Sequence, residues 1–350
     1  RHTNFSMESI SQTLNGGVAS NGRSTCTISR NGDLVHKMYL QGTRAATEVA
    51  NGVVKSITSV ELEIGGQRID KHLGQWMEAW AELTENKTGR GLATNFQNMS
   101  GYGSAKALNE TVSGLASGTA ADARFFNAVD QESLPFFAPL QFWFCRNPGL
   151  ALPLIALQYH EVKVIFNWSS DLTTNITTDV SLWADYIYLD TDERRRFAQV
   201  SHEYLIEQVQ HQSRTGATKE TLNFNHPVKE LVLTGAWSGV LGNALANGRT
   251  MTLKLNGHER FSPRNSTYFS RAQVYQHHSG EGGFVDGSIL VYSFALKPEE
   301  HQPSGTCNFS RIDNAELVFS GAGSEDGHTF AVNYNVLRIM SGMGGLAYSN

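Results

Sequence analysis

The segment from Leu140 to Phe166 is the densest apolar stretch in the chain, and Pro148, Gly149 and Pro153 interrupt it. A helix that spans a bilayer needs about twenty consecutive apolar residues. A buried helix does not carry proline at its middle, where the ring removes a hydrogen bond and collides with the preceding turn. Both helical solutions are excluded. What remains is a pair of strongly apolar strands, about 140–145 and 158–166, joined by a crossing segment that other parts of the chain must cover.

Strand signals continue on both sides of this stretch. Val60, Leu62 and Ile64 alternate with Ser59, Glu61 and Glu63, and Met251, Leu253 and Leu255 alternate with Thr252, Lys254 and Asn256. Period-two alternation of this kind marks strands with one dry and one wet face. Asn31-Gly32 between Thr25–Arg30 and Asp33–Leu40 is a strong hairpin signal, although a strict two-residue turn leaves its register unsettled. Further strands are expected over Val180–Leu189, Leu231–Thr234, Ile289–Leu296, Glu316–Ser320 and Phe330–Ile339. One helix stands out, with Leu73, Trp76, Met77, Trp80 and Leu83 at helical spacing and Asp70 as its expected cap. Its two tryptophans could form a ligand-stacking platform, but the reading preferred here is the buried face of a helix closing the end of a sheet sandwich. Residues 85–130, rich in Gly, Asn, Ser, Thr and Ala, are expected to form a long surface loop.

A net charge of −5 argues against a coat for nucleic acid, which needs clustered Lys and Arg. The one basic run, Arg194-Arg195-Arg196, follows Asp190, Asp192 and Glu193 and is locally compensated. Cys26, Cys145 and Cys307 are odd in number and widely spaced, unlike a disulfide framework or a zinc site, and are expected to be reduced, buried thiols. No signal peptide or membrane span stands out. The chain opens at Arg1 in mid-pattern, so an N-terminal arm is expected before it.

The chain repeats itself. Val60, Leu62, Ile64 and Gly66 recur 191 positions later as Met251, Leu253, Leu255 and Gly257. Phe144, Pro148 and Pro153 recur 150 positions later as Phe294, Pro298 and Pro303. A single insertion, about the length of the 85–130 loop, reconciles the two offsets. So long a period excludes solenoids and propeller blades and implies two similar β-domains. The fold class expected is all-β: two tandem eight-stranded jelly-roll β-sandwiches with short helices in connecting loops. The first covers 1–200, with its insertion at about 85–130, and the second 201–350.

The search for chemistry is mostly negative. His160-Glu161, His202-Glu203 and His258-Glu259 never extend to the His-Glu-x-x-His pattern of zinc proteases. His277-His278 near Glu281 is expected to be a solvated loop rather than a metal site. Gly342 to Ala347 matches a dinucleotide fingerprint in letters only, since the chain ends before the helix that would receive a pyrophosphate. Asp185, Asp190, Asp192 and Glu193 could be imagined as a glycosidase pair, but a salt-bridged interdomain linker is preferred. Asn-x-Ser/Thr sequons begin at Asn4, Asn86, Asn98, Asn109, Asn167, Asn175, Asn265 and Asn308, many of them expected by chance in such a composition. No catalytic, cofactor-binding or metal residue is assigned.

Seven blocks carry a resemblance: Arg1–Ile10, Ile28–Leu34, Val60–His72, Pro148–Lys163, His202–Gln208, Gln302–Asn314 and Asn335–Tyr348. They resemble the major capsid protein of nucleocytoplasmic large DNA viruses, most of all the algal-virus branch that includes the chlorella viruses. The resemblance runs from the first residue to the last. It implies a double jelly roll that trimerises into a pseudo-hexagonal capsomer, many copies of which tile an icosahedral shell, with no enzymatic activity and no cofactor. It also implies contacts with neighbouring capsomers and minor capsid proteins, an approach to the internal viral membrane through the N-terminal arm, no direct binding of nucleic acid, and assembly in the host cytoplasm. The 85–130 insertion is expected to contribute to the trimer's outer crown. The loops between Glu230 and Met251 and between Ser320 and Phe330 are shorter than in the chlorella virus relatives, which carry glycans on such loops, so no glycan position is transferred. Two alternatives remain at this point: a carbohydrate-binding or carbohydrate-cleaving β-sandwich, and a minor capsid or spike component.

Overall fold

The computed structural model describes residues 4–45, 52–85, 95–100, 135–237, 241, 244–246, 248–280, 287–320 and 326–348. The expected 85–130 loop lies outside them, apart from Glu85 and a short helix at Asn95–Ser100. By packing, Arg1–Met77, Gly91–Ile206 and Val336–Ser349 form one compact unit, and Glu78–Arg90 with Glu207–Asn335 form another.

The same strand plan is built twice. In the first half the principal strands, numbered in chain order, are Phe5–Gln12, Arg23–Thr27, Leu34–Thr43, Ile57–Ile64, Gln67–Leu73, Pro135–Pro139, Val162–Trp168 and Ser181–Leu189. One sheet runs in the order 1-8-3-6 and the other 2-7-4-5. In the second half they are His202–Arg214, Lys219–Thr221, Pro227–Gly235, Thr250–Leu255, His258–Glu259, Ile289–Ser293, Ala315–Phe319 and Gly327–Met340. Their sheets again run 1-8-3-6 and 2-7-4-5. This is a double jelly roll. Apolar positions from both sheets of the second half, among them Leu231, Leu233, Leu253, Leu290, Leu317 and Ala331, meet in one core. Burying such side chains is the main stabilising term.

The repeat seen in sequence falls on equivalent hairpins. Gly65 and Gly66 turn Ile64 back onto Gln67, and Asn256 and Gly257 turn Leu255 back onto His258. All four turn residues have positive φ, at 58°, 85°, 51° and 80°, the signature of a tight two-residue hairpin in which both central residues are left-handed. Pro148 and Pro153 likewise lie in the crossing from strand 6 to strand 7, as do Pro298 and Pro303 in the second half. Within that crossing the pairing positions are Leu152–Pro153 and Cys307–Asn308, each laid against the start of strand 3.

A second repeated feature was not visible in the sequence. In each half, strand 3 carries one extra residue opposite strand 8, a β-bulge immediately after Val35 and after Val228. Both valines are fully buried, and the next core residues are Met38 and Leu231. The bulge therefore turns two successive side chains, Lys229 and Glu230, away from the core between Val228 and Leu231. In the first half the bulge aims His36, whose Nδ1 lies 2.7 Å from the Phe144 carbonyl. In the second, Phe294 N–H donates to the Lys229 carbonyl at 2.8 Å. Phe144 and Phe294 are the recurring pair.

Four expectations are corrected. Asn31-Gly32 is not a hairpin: Arg23–Thr27 and Leu34–Thr43 belong to different sheets, and the dipeptide turns the corner between them. A Cβ at Gly32 would press on Tyr186, so close approach, not strand reversal, explains the glycine. Residues 140–145 are not a strand. The strand lies earlier, at Pro135–Pro139, and Trp143–Arg146 is a short helix that buries Trp143 and Phe144. The second apolar strand is Val162–Trp168, not 158–166. Asp70 does not cap the helix Gly74–Thr84; it sits in the preceding strand, paired with His72 at 2.9 Å. The helix itself is as expected, and Trp76 and Trp80 are buried on it.

Candidate functional site

Asp190 caps the helix Thr191–Gln199 by accepting from Thr191 N–H at 2.7 Å, and Asp192 and Glu193 fall in its first turn, where acidic groups favour the helix dipole. Arg194 reaches back to Asp33 through Nε and Nη2, at 2.9 and 3.1 Å. The Asp190–Arg196 stretch is thus a capped, salt-bridged helix, and Asp185 lies on the preceding strand.

Each His-Glu pair has its own local engagement. His160 Nδ1 lies 2.9 Å from the Gly344 carbonyl oxygen and 3.1 Å from its amide nitrogen, while Glu161 pairs with Lys163. His202 approaches the Phe197 carbonyl at 2.8 Å, and Glu203 pairs with Arg338. Glu259 pairs with Lys254. Gly342 to Leu346 form a β-hairpin with the end of strand Gly327–Met340, whose tip holds Tyr159 through the Gly342 carbonyl at 2.9 Å. Among the described residues no group of three or more His, Cys, Asp or Glu side chains is arranged to hold a metal ion. No described helix is long and apolar enough to span a membrane.

The cysteines are free thiols. Burial pushes Cys26 and Cys145 up to about 12, so neither is a thiolate at neutral pH. Of the sequons, Asn175 is fully buried and donates to the Asp171 carbonyl, and Asn167 donates to Ser59; Asn4 and Asn265 are exposed.

The most concentrated polar chemistry lies where sequence reasoning placed a solvated loop. His278 is buried: its Nε2 lies 2.9 Å from Glu230 Oε2, its Nδ1 lies 3.0 Å from Glu299 Oε1, and its ring meets Trp80 edge-on. Ser279 ties the same carboxylate down through its N–H at 2.8 Å. One residue back on strand 3, Lys229 Nζ sits 2.8 Å from Glu207 Oε1, with His301 Nδ1 at 3.4 Å from the same oxygen. The bulge supplies Lys229 and Glu230, and the crossing segment supplies Glu299 and His301. Two buried ion clusters therefore latch the proline-bearing crossing onto strand 3. The sequence signal was slight: two charged residues, Lys229-Glu230, at the start of an apolar strand.

The state of His278 follows from its neighbours. Burial alone pushes an imidazolium to lose its proton, but Glu230 and Glu299 outweigh it and raise the pKa to about 9. Glu299 is held below the usual carboxylate range by His278 and Ser279. A raised histidine pKa gives stability that is fully present below about 6.5 and lost as pH rises through about 9. The unfolding free energy should therefore fall between pH 7 and pH 10 by on the order of 2 kcal/mol, and urea titrations of His278→Gln should lack that part of the slope. An equal slope in the variant would remove His278 from this role.

The fold agrees with what similar proteins are. Residues 1–190 match the family model for the major capsid protein N-terminus, and residues 242–345 match that for the large eukaryotic DNA virus major capsid protein. The major capsid protein of Pyramimonas orientalis virus is 49% identical over all of this chain and 92% of its own length. That of Paramecium bursaria Chlorella virus 1 is 38% identical over all of this chain and 93% of its own. The crystal structure of PBCV-1 VP54 superposes with a TM-score of 0.80 at 35% identity, covering 100% of this chain and 98% of that one. The chain belongs to the major capsid protein family of large eukaryotic DNA viruses. Proteins of this family form the virion shell, and its place is there.

Proposed function

We propose that three copies of this chain assemble into a pseudo-hexagonal capsomer that tiles the facets of an icosahedral shell. The observation that carries the reading is the strand order 1-8-3-6 and 2-7-4-5 occurring twice in one chain. Two like sandwiches per chain, three chains per capsomer, give six near-equivalent walls, and a six-walled block tiles a plane. In this reading the evolutionary halves are 1–200 and 201–350, and the protein is structural rather than catalytic. Neighbouring capsomers, minor capsid proteins and an internal membrane are its partners, and assembly in the host cytoplasm belongs to the same reading; these rest on the family resemblance.

An obligate trimer buries on the order of 2,000 Å² or more per contact, so it should persist on dilution. Light scattering on the purified protein should give a mass near three times 38.5 kDa. A monomer that binds glycans would favour the carbohydrate-binding alternative instead.

A further inference from the structure

One end of the 1-8-3-6 sheet in the second jelly roll buries a guanidinium next to a histidine. Arg214 closes strand His202–Arg214, is buried, and donates from Nη1 to the Ala244 carbonyl at 3.0 Å and from Nη2 to the Thr234 carbonyl. Thr234 is the direct cross-strand neighbour of His328. The His328 ring stacks on Phe330 at 5.8 Å and lies 6.3 Å from the ring of His211, while Nε2 stands 3.5 Å from Ser213 Oγ. Its Nδ1 is buried without a hydrogen-bond partner.

The groups facing His328 among the described residues are thus His211, Ser213 and Arg214 from strand 1, Thr234 from strand 3, and Phe330 from its own strand. Asp326 stands exposed two residues before it, where solvent screens its charge. Burial first, and Arg214 second, hold His328 below the ordinary 6.5, so it is neutral at neutral pH. His278 in the same half is held charged by two carboxylates. One jelly roll therefore carries a buried and a half-buried histidine in opposite states, each set by its neighbours.

We propose that the Arg214–His328 corner is an acid-sensitive joint: a proton on His328 sets a second cation beside a buried guanidinium and loosens the paired ends of strands 1, 3 and 8. Below pH 6.5 the unfolded chain takes this proton more readily than the folded one, so stability falls as pH drops through that value and is untouched above it. His278 stays charged in the folded protein, but the unfolded chain takes up its proton in this range, so it adds stability as pH falls and acts against the His328 effect.

Thermal unfolding of the purified protein at pH 7.5 and pH 5.5 tests this. On acidification the Tm of the wild type should shift roughly 3 °C further in the destabilising direction than that of His328→Gln, a difference from which the His278 contribution cancels. An equal shift in the two proteins overturns the proposal. Hydrogen exchange on the wild type supplies a reading independent of any variant. After correction for intrinsic rates, segments 207–214 and 327–335 should lose protection at pH 5.5 while Thr250–Leu255 keeps it. Uniform change, or none, contradicts the joint.

Discussion

Lys229→Met should destabilise the protein by about 3–5 kcal/mol, because it takes the nearest cation away from the buried Glu207 carboxylate. The ammonium lies 2.8 Å from the Glu207 carboxylate, both side chains are almost fully buried, and Nζ also reaches the Glu300 carbonyl at 3.3 Å and the face of Tyr334. His301 Nδ1 stands farther off, at 3.4 Å. The double variant Lys229→Met with Glu207→Leu should recover most of the loss, because replacing a buried pair with apolar groups is often close to neutral. Urea titrations at pH 7 distinguish the two. A single variant within about 1 kcal/mol of wild type would show that the pair is solvated and does not latch the crossing segment.

Gly65→Val should cost about 3 kcal/mol, for two reasons that add. Gly65 has φ near 58°, a conformation that costs an L-residue roughly 1–2 kcal/mol and a β-branched one more. Its missing Cβ also leaves room for the His160 ring, so a side chain there must displace the histidine, an overpacking cost of about 1–3 kcal/mol. His160 Nδ1 contacts the Gly344 backbone, so the closing hairpin should loosen with it and become sensitive to limited proteolysis. Asn256 occupies the equivalent turn position in the second half. There Oδ1 accepts from Asp313 and Asn314 N–H, at 3.0 and 3.1 Å. Asn256→Gly therefore loses hydrogen bonds, at about 1 kcal/mol, and meets no steric clash. Equal losses at the two positions would contradict this asymmetry.

Much of the architecture was legible because alternation and tight-turn chemistry are local. Val60–Ile64 and Met251–Leu255 announced equivalent strands, and the residues after them announced equivalent turns. Pro148, Pro153, Pro298 and Pro303 marked the same crossing twice. What local reading missed depends on which sheet a strand joins. Asn31-Gly32 carries hairpin chemistry, yet the two strands it links pair with Val162–Trp168 and Ser181–Leu189 instead of each other. Trp143-Phe144 looks like strand because aromatic residues suit a pleated face, whereas here they fill the space beneath a helical turn. The ion clusters were illegible for the same reason. Glu230, His278 and Glu299 are far apart in sequence, and only the bulge and the crossing bring them together. His277-His278 as a bare dipeptide gave no hint that one member is buried between two carboxylates.

Three-copy assembly into a six-walled block is the central claim, and averaged electron-microscope images of the purified oligomer test it most directly. Viewed down the threefold axis, the particle should show six lobes of near-equal density in a hexagonal outline, two from each chain. A particle of three lobes, or a monomer at micromolar concentration, would contradict it.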